Sequence, residues 1–359
     1  QKLANEQDLF FRVIEPGRDY YNAAFFAGSS GIFRRSALKE IKDIQTLTLT
    51  EDLHTSMVLH AKGYKAVYVP KVLAAGLAPE SFESYLKQRK RWTRGGIQVF
   101  MLDNPLWKRG LTLDQRIQYF SALYYFFHGI PRLIYLSAPL SYLLFGYAPL
   151  ETSLGALALH FIPYYVFSLI AFQQVGGRSR NSFWSDVYET AMCFSITTTA
   201  FGTLLSPWRT NFQVTPKGIK RGKGRFNIRL VFPHLVLAAL LLAGGIIGVY
   251  ALATHRGTDA TVISFFWATY NFFLLVTAIS VARERRQVRS TPRLARMVPG
   301  EIRHDGGGTH PVEEKIPCVT SDLSETGASV IIVRPSTLPS VVKLSLLGDG
   351  GEQIHLRGI

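Results

Sequence analysis

Four apolar runs constrain this chain more than any other feature: Phe120 to Phe145, Leu154 to Gln174, Leu230 to Ala251 and Val262 to Ala282. Each is near or above the ~20 residues a helix needs to cross a hydrocarbon core. The first is interrupted by Gly129, Pro131 and Arg132. A fifth stretch, Val187 to Leu205, is less apolar and rich in Thr and Ser, which predicts an interfacial helix over about 184–205. The net charge of +15 is distributed unevenly. Lys and Arg crowd the segments before the first run, between the second and third, and after the fourth. The turn Gly146 to Thr152 has none, and the turn Thr254 to Thr261 has only Arg256. The positive-inside rule places the crowded segments in the cytoplasm. Four crossings return the chain to its starting side, so both flanking regions are expected to be cytoplasmic and the lipid bilayer is a partner. A nucleic-acid binder would share the basic charge but not the apolar runs, so nucleic acid is excluded as a partner. Cys193 and Cys318 stand too far apart, in segments too different, to suggest a disulfide framework or a zinc site.

Around this membrane region, 117–282, lie two parts of different character. Residues 1–101 alternate as a soluble α/β region. Thr50-Glu51-Asp52 opens a helix through Leu53, Met57, Val58 and Ala61, Gly63 stops it, and Ala66 to Val69 reads as a strand. Within 81–101, Phe82, Tyr85, Leu86, Trp92, Val99 and Phe100 recur at helical spacing beside Lys87, Arg89, Lys90 and Arg94. That pattern predicts an amphipathic helix at the membrane surface. Residues 283–359 form a linker and then a small all-β unit, with strands expected at Ala328 to Val333, Val341 to Leu347 and Gln353 to Leu356. Gln1 is no start methionine and Glu352 to Ile359 reads as a strand inside a domain, so a fragment open at both ends is expected.

Several short motifs could carry chemistry. Thr50 followed by Glu51 and Asp52 suits a helix cap, with two acids favoured by the dipole. Asp52 also suits a general base, provided burial counters the low pKa of a helix N-terminus. Gln88, Arg91 and Trp92 fall on one helical face. An indole offers a flat platform for a pyranose, a guanidinium clamps a diphosphate and an amide bonds a hydroxyl. The same residues would equally serve a basic helix lying on anionic lipid. Phe25-Phe26-Ala27-Gly28-Ser29 looks locally like a Gly-Ser turn after an apolar strand. Phe212-Gln-Val214-Thr215-Pro-Lys-Gly218 looks like a polar loop. Arg289 and Arg293, four apart, could hold phosphates and stack on guanine, while Asp322 and Ser324 could read a purine edge before a tight strand entry at Gly327.

Taken together and in order, these motifs resemble those of processive family 2 glycosyltransferases, specifically the cellulose synthases that end in a PilZ domain. The family pattern has T-E-D, then Q-x-x-R-W on an interfacial helix, then membrane spans. Phe26, Gly28 and Ser29 match its F-F-C-G-S acceptor segment, with Ala27 in place of Cys. Residues 212–218 match its F-x-V-T-x-K-G gating loop, about 209–226. R-x-x-x-R followed by D-x-S-x-x-G matches PilZ. The resemblance implies a multidomain membrane protein: part of a GT-A-like α/β domain, four transmembrane helices with interfacial helices, and part of a small β-barrel. It further implies a bacterial inner-membrane enzyme that polymerises UDP-glucose into a growing β-1,4-glucan and is activated by cyclic di-GMP. Thr50, Glu51 and Asp52 would be catalytic; Gln88, Arg91, Trp92, Phe26, Gly28 and Ser29 would bind substrate and acceptor. Phe212, Val214 and Thr215 would contact the donor from the gating loop. Arg289, Arg293, Asp322, Ser324 and Gly327 would bind the activator. A periplasmic cellulose synthase subunit is an implied partner. The family's Mg²⁺ motif, D-x-D, is expected before Gln1, and no Asp-x-Asp pair occurs in residues 1–80. Alternatives are a chitin, hyaluronan or other glucan synthase, or a non-catalytic cyclic di-GMP receptor or transporter.

Overall fold

The computed structural model describes residues 6–71, 78–79, 81–149, 151–177, 181–208, 225–284, 297–305, 313–324, 327–332, 342–347 and 353–358. The chain divides into two compact units, one within residues 1–286 and one formed mainly by 287–359.

Among the described residues the regular structure of the first unit is helical, apart from a two-residue ladder pairing Arg225–Phe226 with Arg283–Glu284. Its first part contains helices Glu15–Tyr20, Arg35–Glu40, Glu51–Ala61 and Phe82–Leu102. The strand expected at Ala66 to Val69 is extended but pairs with no described strand. Its amides go to side chains instead: Ala66 N–H donates to Asn22 Oδ1 at 3.1 Å and Tyr68 N–H to Asp19 Oδ1 at 2.9 Å. A small core forms where Leu53 and Met57 of the Asp52 helix meet Val99 of the Phe82–Leu102 helix, with Tyr119, Ala122 and Leu123 closing it. Met57 and Val99 are fully enclosed, and burying side chains of this kind contributes about 1.5–3 kcal/mol each.

That core explains a departure from the expected first span. The apolar run from Phe120 does not form one helix. Leu113–Tyr124, started by a capping box of Thr112 and Gln115, turns Tyr119 and Leu123 into the small core. A 3₁₀ turn at Tyr125–Phe127 follows, and only Gly129–Phe145 continues along the bundle. At 17 residues that helix is about 26 Å long, at the short limit for a crossing. Gly129 sits where any side chain would collide: a Cβ there would lie 2.5 Å from Thr197 Oγ1. Among the described residues, three helices are long and apolar enough to cross a membrane: Leu154–Gly176, Ile228–Ala253 and Asp259–Val281.

A larger core binds these elements together. Phe82 and Leu86 meet Leu136, Leu140 and Leu143 of the short helix, and residues from Ile228–Ala253 and Asp259–Val281 join them. The helix Ser182–Leu205, capped by Asn181, contributes Val187, Ala191, Met192, Cys193 and Ile196, all essentially inaccessible. Gly244 and Gly248 lie one turn apart in Ile228–Ala253 and let Leu143 approach closely, a small-residue seam of the kind that packs helices in lipid. Arg132 ties the short helix to Ser182–Leu205 through Asp186 at 2.6 Å and Glu189 at 2.9 Å.

The second unit is a five-stranded antiparallel sheet in the order Gly327–Ile332, Glu313–Ser324, Pro299–Asp305, Val342–Leu347, Gln353–Gly358. Ile302, Ile316, Cys318, Leu344 and Leu346 form its core. Three of the strands match expectation, whereas Pro299–Asp305 and Glu313–Ser324 were not anticipated. Pro299–Asp305 carries Ile302 as its single large apolar residue, so alternation is barely visible in it.

Candidate active site

Thr50 occupies the N-cap position of Glu51–Ala61, yet its side chain accepts no capping hydrogen bond. Its hydroxyl is buried with no hydrogen-bond partner among the described residues. Thr50 is instead pressed against Gly95 of the Phe82–Leu102 helix, where a Cβ would lie 2.5 Å from Thr50 Cγ2 and 2.6 Å from its backbone nitrogen. Only glycine permits this approach. It docks the Thr50-Glu51-Asp52 turn one helical turn beyond Trp92.

Asp52 is consequently enclosed, and its carboxyl is pushed up to about 6, chiefly by burial, with the charge of Glu51 adding to the effect. The Leu53 N–H, donating to Oδ1 at 2.8 Å, and the charge of Arg91 oppose the rise without cancelling it. The helix N-terminus alone would depress this carboxyl; desolvation wins. Glu51, by contrast, is exposed.

The Phe25–Ser29 segment closes over the same carboxylate. Ser56 Oγ donates to the Asp52 carbonyl at 2.9 Å and accepts the Phe26 N–H at 2.9 Å. Gly28 adopts φ +82°, and a Cβ there would stand 3.0 Å from Asp52 Oδ2. The positive φ and the close approach both call for glycine. Phe26 packs edge-on against Phe33, and Ser29 is exposed. Behind the segment, Glu15 accepts the Phe25 N–H at 3.1 Å and a bond from Arg18 at 3.1 Å, while Arg18 lies 4.9 Å from the Phe25 ring centroid. Burial raises the Glu15 carboxyl, Arg18 opposing. Sequence reasoning missed Glu15, Arg18 and Ser56. Their signal was a Glu-x-x-Arg pair and a helix serine, both too common to single out.

Gln88, Arg91 and Trp92 are half-buried on the Phe82–Leu102 helix. The Arg89 guanidinium lies 4.5 Å from the Trp92 ring centroid and 5.0 Å from that of Tyr85. One face of the indole is therefore held by a cation. The structure thus brings Asp52, Gly28 and Arg91 together, and Trp92 follows Arg91 on the same helix. Phe212, Val214, Thr215, Arg289 and Arg293 lie outside the described residues. Asp322 and Ser324 end the strand Glu313–Ser324, after a register shift between Thr320 and Asp322; Ser324 faces Gly327, and its Oγ donates to the Gly327 carbonyl at 2.9 Å. Among the described residues no three His, Cys, Asp or Glu side chains converge as a metal site. The described residues by themselves do not form a Mg²⁺ centre.

Residues 6–175 match the model for glycosyl transferase family group 2 and residues 287–359 that for the PilZ domain. The first part of the chain thus carries a match to the family 2 glycosyltransferase domain and the last a match to the PilZ domain. A PilZ domain indicates binding of cyclic di-GMP. Among individual relatives, the chain is 39% identical over 302 residues to the cellulose synthase catalytic subunit (UDP-forming) of Pseudomonas fluorescens, covering 84% of this chain and 41% of that protein. It is 36% identical over 360 residues to the cellulose synthase 1 catalytic subunit of Komagataeibacter xylinus, covering 98% of this chain and 47% of the relative. Cellulose synthase 1 of Novacetimonas hansenii is 36% identical over 355 residues, covering 97% of this chain and 23% of that protein. The chain spans less than half the length of each of these relatives.

Proposed function

We propose that this chain forms the acceptor side, membrane region and regulatory domain of a processive, inverting glucosyltransferase that extends β-1,4-glucan from UDP-glucose. The observation that carries the reading is Asp52: a desolvated carboxyl near 6, beside Gly28 and within the charge influence of Arg91. A carboxyl tuned to that range is largely deprotonated at neutral pH, yet more basic than an ordinary carboxylate and so better able to accept a hydroxyl proton. In the proposed step Asp52 takes the proton from the terminal 4-hydroxyl of the glucan as its oxygen bonds to C1 of the donor glucose. The C1–phosphate oxygen bond breaks and UDP departs with the electron pair. Arg91 stabilises the diphosphate, Gln88 bonds a sugar hydroxyl, and Trp92 stacks the terminal sugar on the face away from Arg89. Phe26, Gly28 and Ser29 shape the acceptor site. Thr50 and Glu51 position the turn, and Phe212, Val214 and Thr215 contact the donor from the gating loop.

The membrane helices, Gly129–Phe145 included, would span the bacterial inner membrane four times with both ends cytoplasmic and carry the glucan across it, with Ser182–Leu205 as the interfacial helix. A periplasmic cellulose synthase subunit would receive the polymer. Cyclic di-GMP bound by Arg289, Arg293, Asp322, Ser324 and Gly327 would shift the gating loop toward its open population. The names of the relatives support UDP-glucose as donor. The test uses the full-length protein in membrane vesicles with radiolabelled UDP-glucose or UDP-N-acetylglucosamine, with and without cyclic di-GMP. Glucose incorporation stimulated by the nucleotide, into polymer cut by a β-1,4-glucanase, is expected. Incorporation of N-acetylglucosamine alone would indicate another synthase, and nucleotide binding with no transfer a receptor or transporter.

A further inference from the structure

Gln98 lies on the Phe82–Leu102 helix beyond Trp92, outside every motif considered above, and is fully buried. Both ends of its side-chain amide are used. Oε1 accepts the N–H of Leu49 at 2.9 Å, in the loop that leads into Thr50 and Asp52. Nε2 donates to the carbonyl of Pro207 at 2.7 Å, just past the C-terminal end of Ser182–Leu205. One side chain therefore joins three elements that are remote in sequence. Leu49 N–H and Pro207 C=O lie outside the helices, so neither has a partner within a helical ladder, and leaving such groups unpaired in the interior is costly. The amide offers a donor and an acceptor on separate atoms of one short fork, which suits these two backbone groups.

Neighbouring contacts act on the same loop. Thr50 is seated on Gly95, three residues earlier on the helix. Thr48 Oγ1 meets His54 Nδ1 at 3.3 Å, and His54 Nε2 meets Asp103 Oδ2 at 3.1 Å, at the residue that ends the helix. Gln98 lies between these two contacts along the helix, and its bond to Pro207 reaches a further element. We infer that Gln98 is a positioning residue for glycosyl transfer. It holds the Asp52 loop, the Trp92 helix and the end of Ser182–Leu205 in one arrangement. The inference rests on the reading of Asp52 as the base.

Gln98→Met keeps the volume and loses both bonds, while Gln98→Glu keeps the acceptor toward Leu49 and loses the donor toward Pro207. In the full-length protein in membranes, kcat per folded enzyme is expected to fall about 10- to 100-fold in Gln98→Met, with a smaller fall in Gln98→Glu. KM for UDP-glucose should stay within about two-fold of wild type. An unchanged kcat per folded enzyme with only a lower Tm would overturn the inference, because the tether would then be structural alone. Hydrogen exchange resolved at Leu49 in the wild type decides the matter if the variants do not fold. Slow exchange of this non-helical amide is expected, and exchange at the rate of an open loop would refute the tether. If Asp52→Asn matches wild type, the base assignment fails, and Leu49 protection still reports on the tether by itself.

Discussion

At the scale of single residues, the behaviour of Asp52 is a contest between dipole and burial. The helix N-terminus and the Leu53 N–H favour the anion, yet enclosure by neighbouring segments raises the carboxyl to about 6. Arg91 counteracts part of that rise, so its removal should move the acid limb of the pH–rate profile to higher pH. Arg91→Lys should leave the limb close to its wild-type position. Profiles of kcat at saturating donor separate this electrostatic effect from weakened diphosphate binding. Gly28→Ala should be severe for two reasons. Alanine at φ +82° costs on the order of 1–2 kcal/mol, and its Cβ would crowd Asp52 Oδ2 at 3.0 Å. A fall in kcat of about ten-fold or more is expected in steady-state assays. The motif residues could be singled out in the sequence only through their ordered resemblance to family 2 glycosyltransferase motifs. The burial that tunes Asp52 was not legible, since Gly28 and Gly95 supply it from segments remote in the chain.

At the scale of elements, the docking of the Asp52 turn on the Phe82–Leu102 helix depends on one absent methyl group. Gly95→Ala would place a Cβ 2.6 Å from the Thr50 backbone nitrogen. Backbone cannot yield as a side chain can, so Thr50→Ser should not rescue the variant even though it removes Cγ2. A stability loss of about 1–3 kcal/mol is expected by denaturant or thermal unfolding. Tyr119 anchors Leu113–Tyr124 through a 2.7 Å bond to His60 Nδ1, and burial lowers that imidazole to about 4. Tyr119→Phe leaves the ring nitrogen unpaired and should cost about 1–3 kcal/mol by the same measurement. The Phe82–Leu102 helix could be read in advance because apolar residues recur along it at helical spacing. The break at Tyr125–Phe127 could not. Phe126 and Phe127 continue an apolar run, and what ends the helix is the pull of Tyr119 and Leu123 into a core built by residues far away in sequence.

For the whole molecule, three long apolar helices and the shorter Gly129–Phe145 helix alternate between segments rich in Lys and Arg and turns that have almost none. A cysteine introduced at Thr152 should react with an impermeant thiol reagent added to the periplasmic face, and one at Arg283 should react only after the membrane is opened. The opposite pattern would invert the proposed topology. Three of the four expected spans were plain from the apolar runs, whereas the sheet of the second unit was only partly visible, because Pro299–Asp305 has Ile302 as its single large apolar residue.

The central claim is that a desolvated Asp52 is the base of a glucosyl transfer. Its most direct test is the pH dependence of kcat for glucose incorporation by the full-length enzyme, with Asp52→Asn alongside. A base must be deprotonated to act, and a raised carboxyl keeps its proton to higher pH. The rate should therefore decline as pH drops through about 6, with Asp52→Asn lacking the activity. A rate that holds steady down to the ordinary carboxylate range, or an Asp52→Asn enzyme that polymerises at the wild-type rate, would contradict the account.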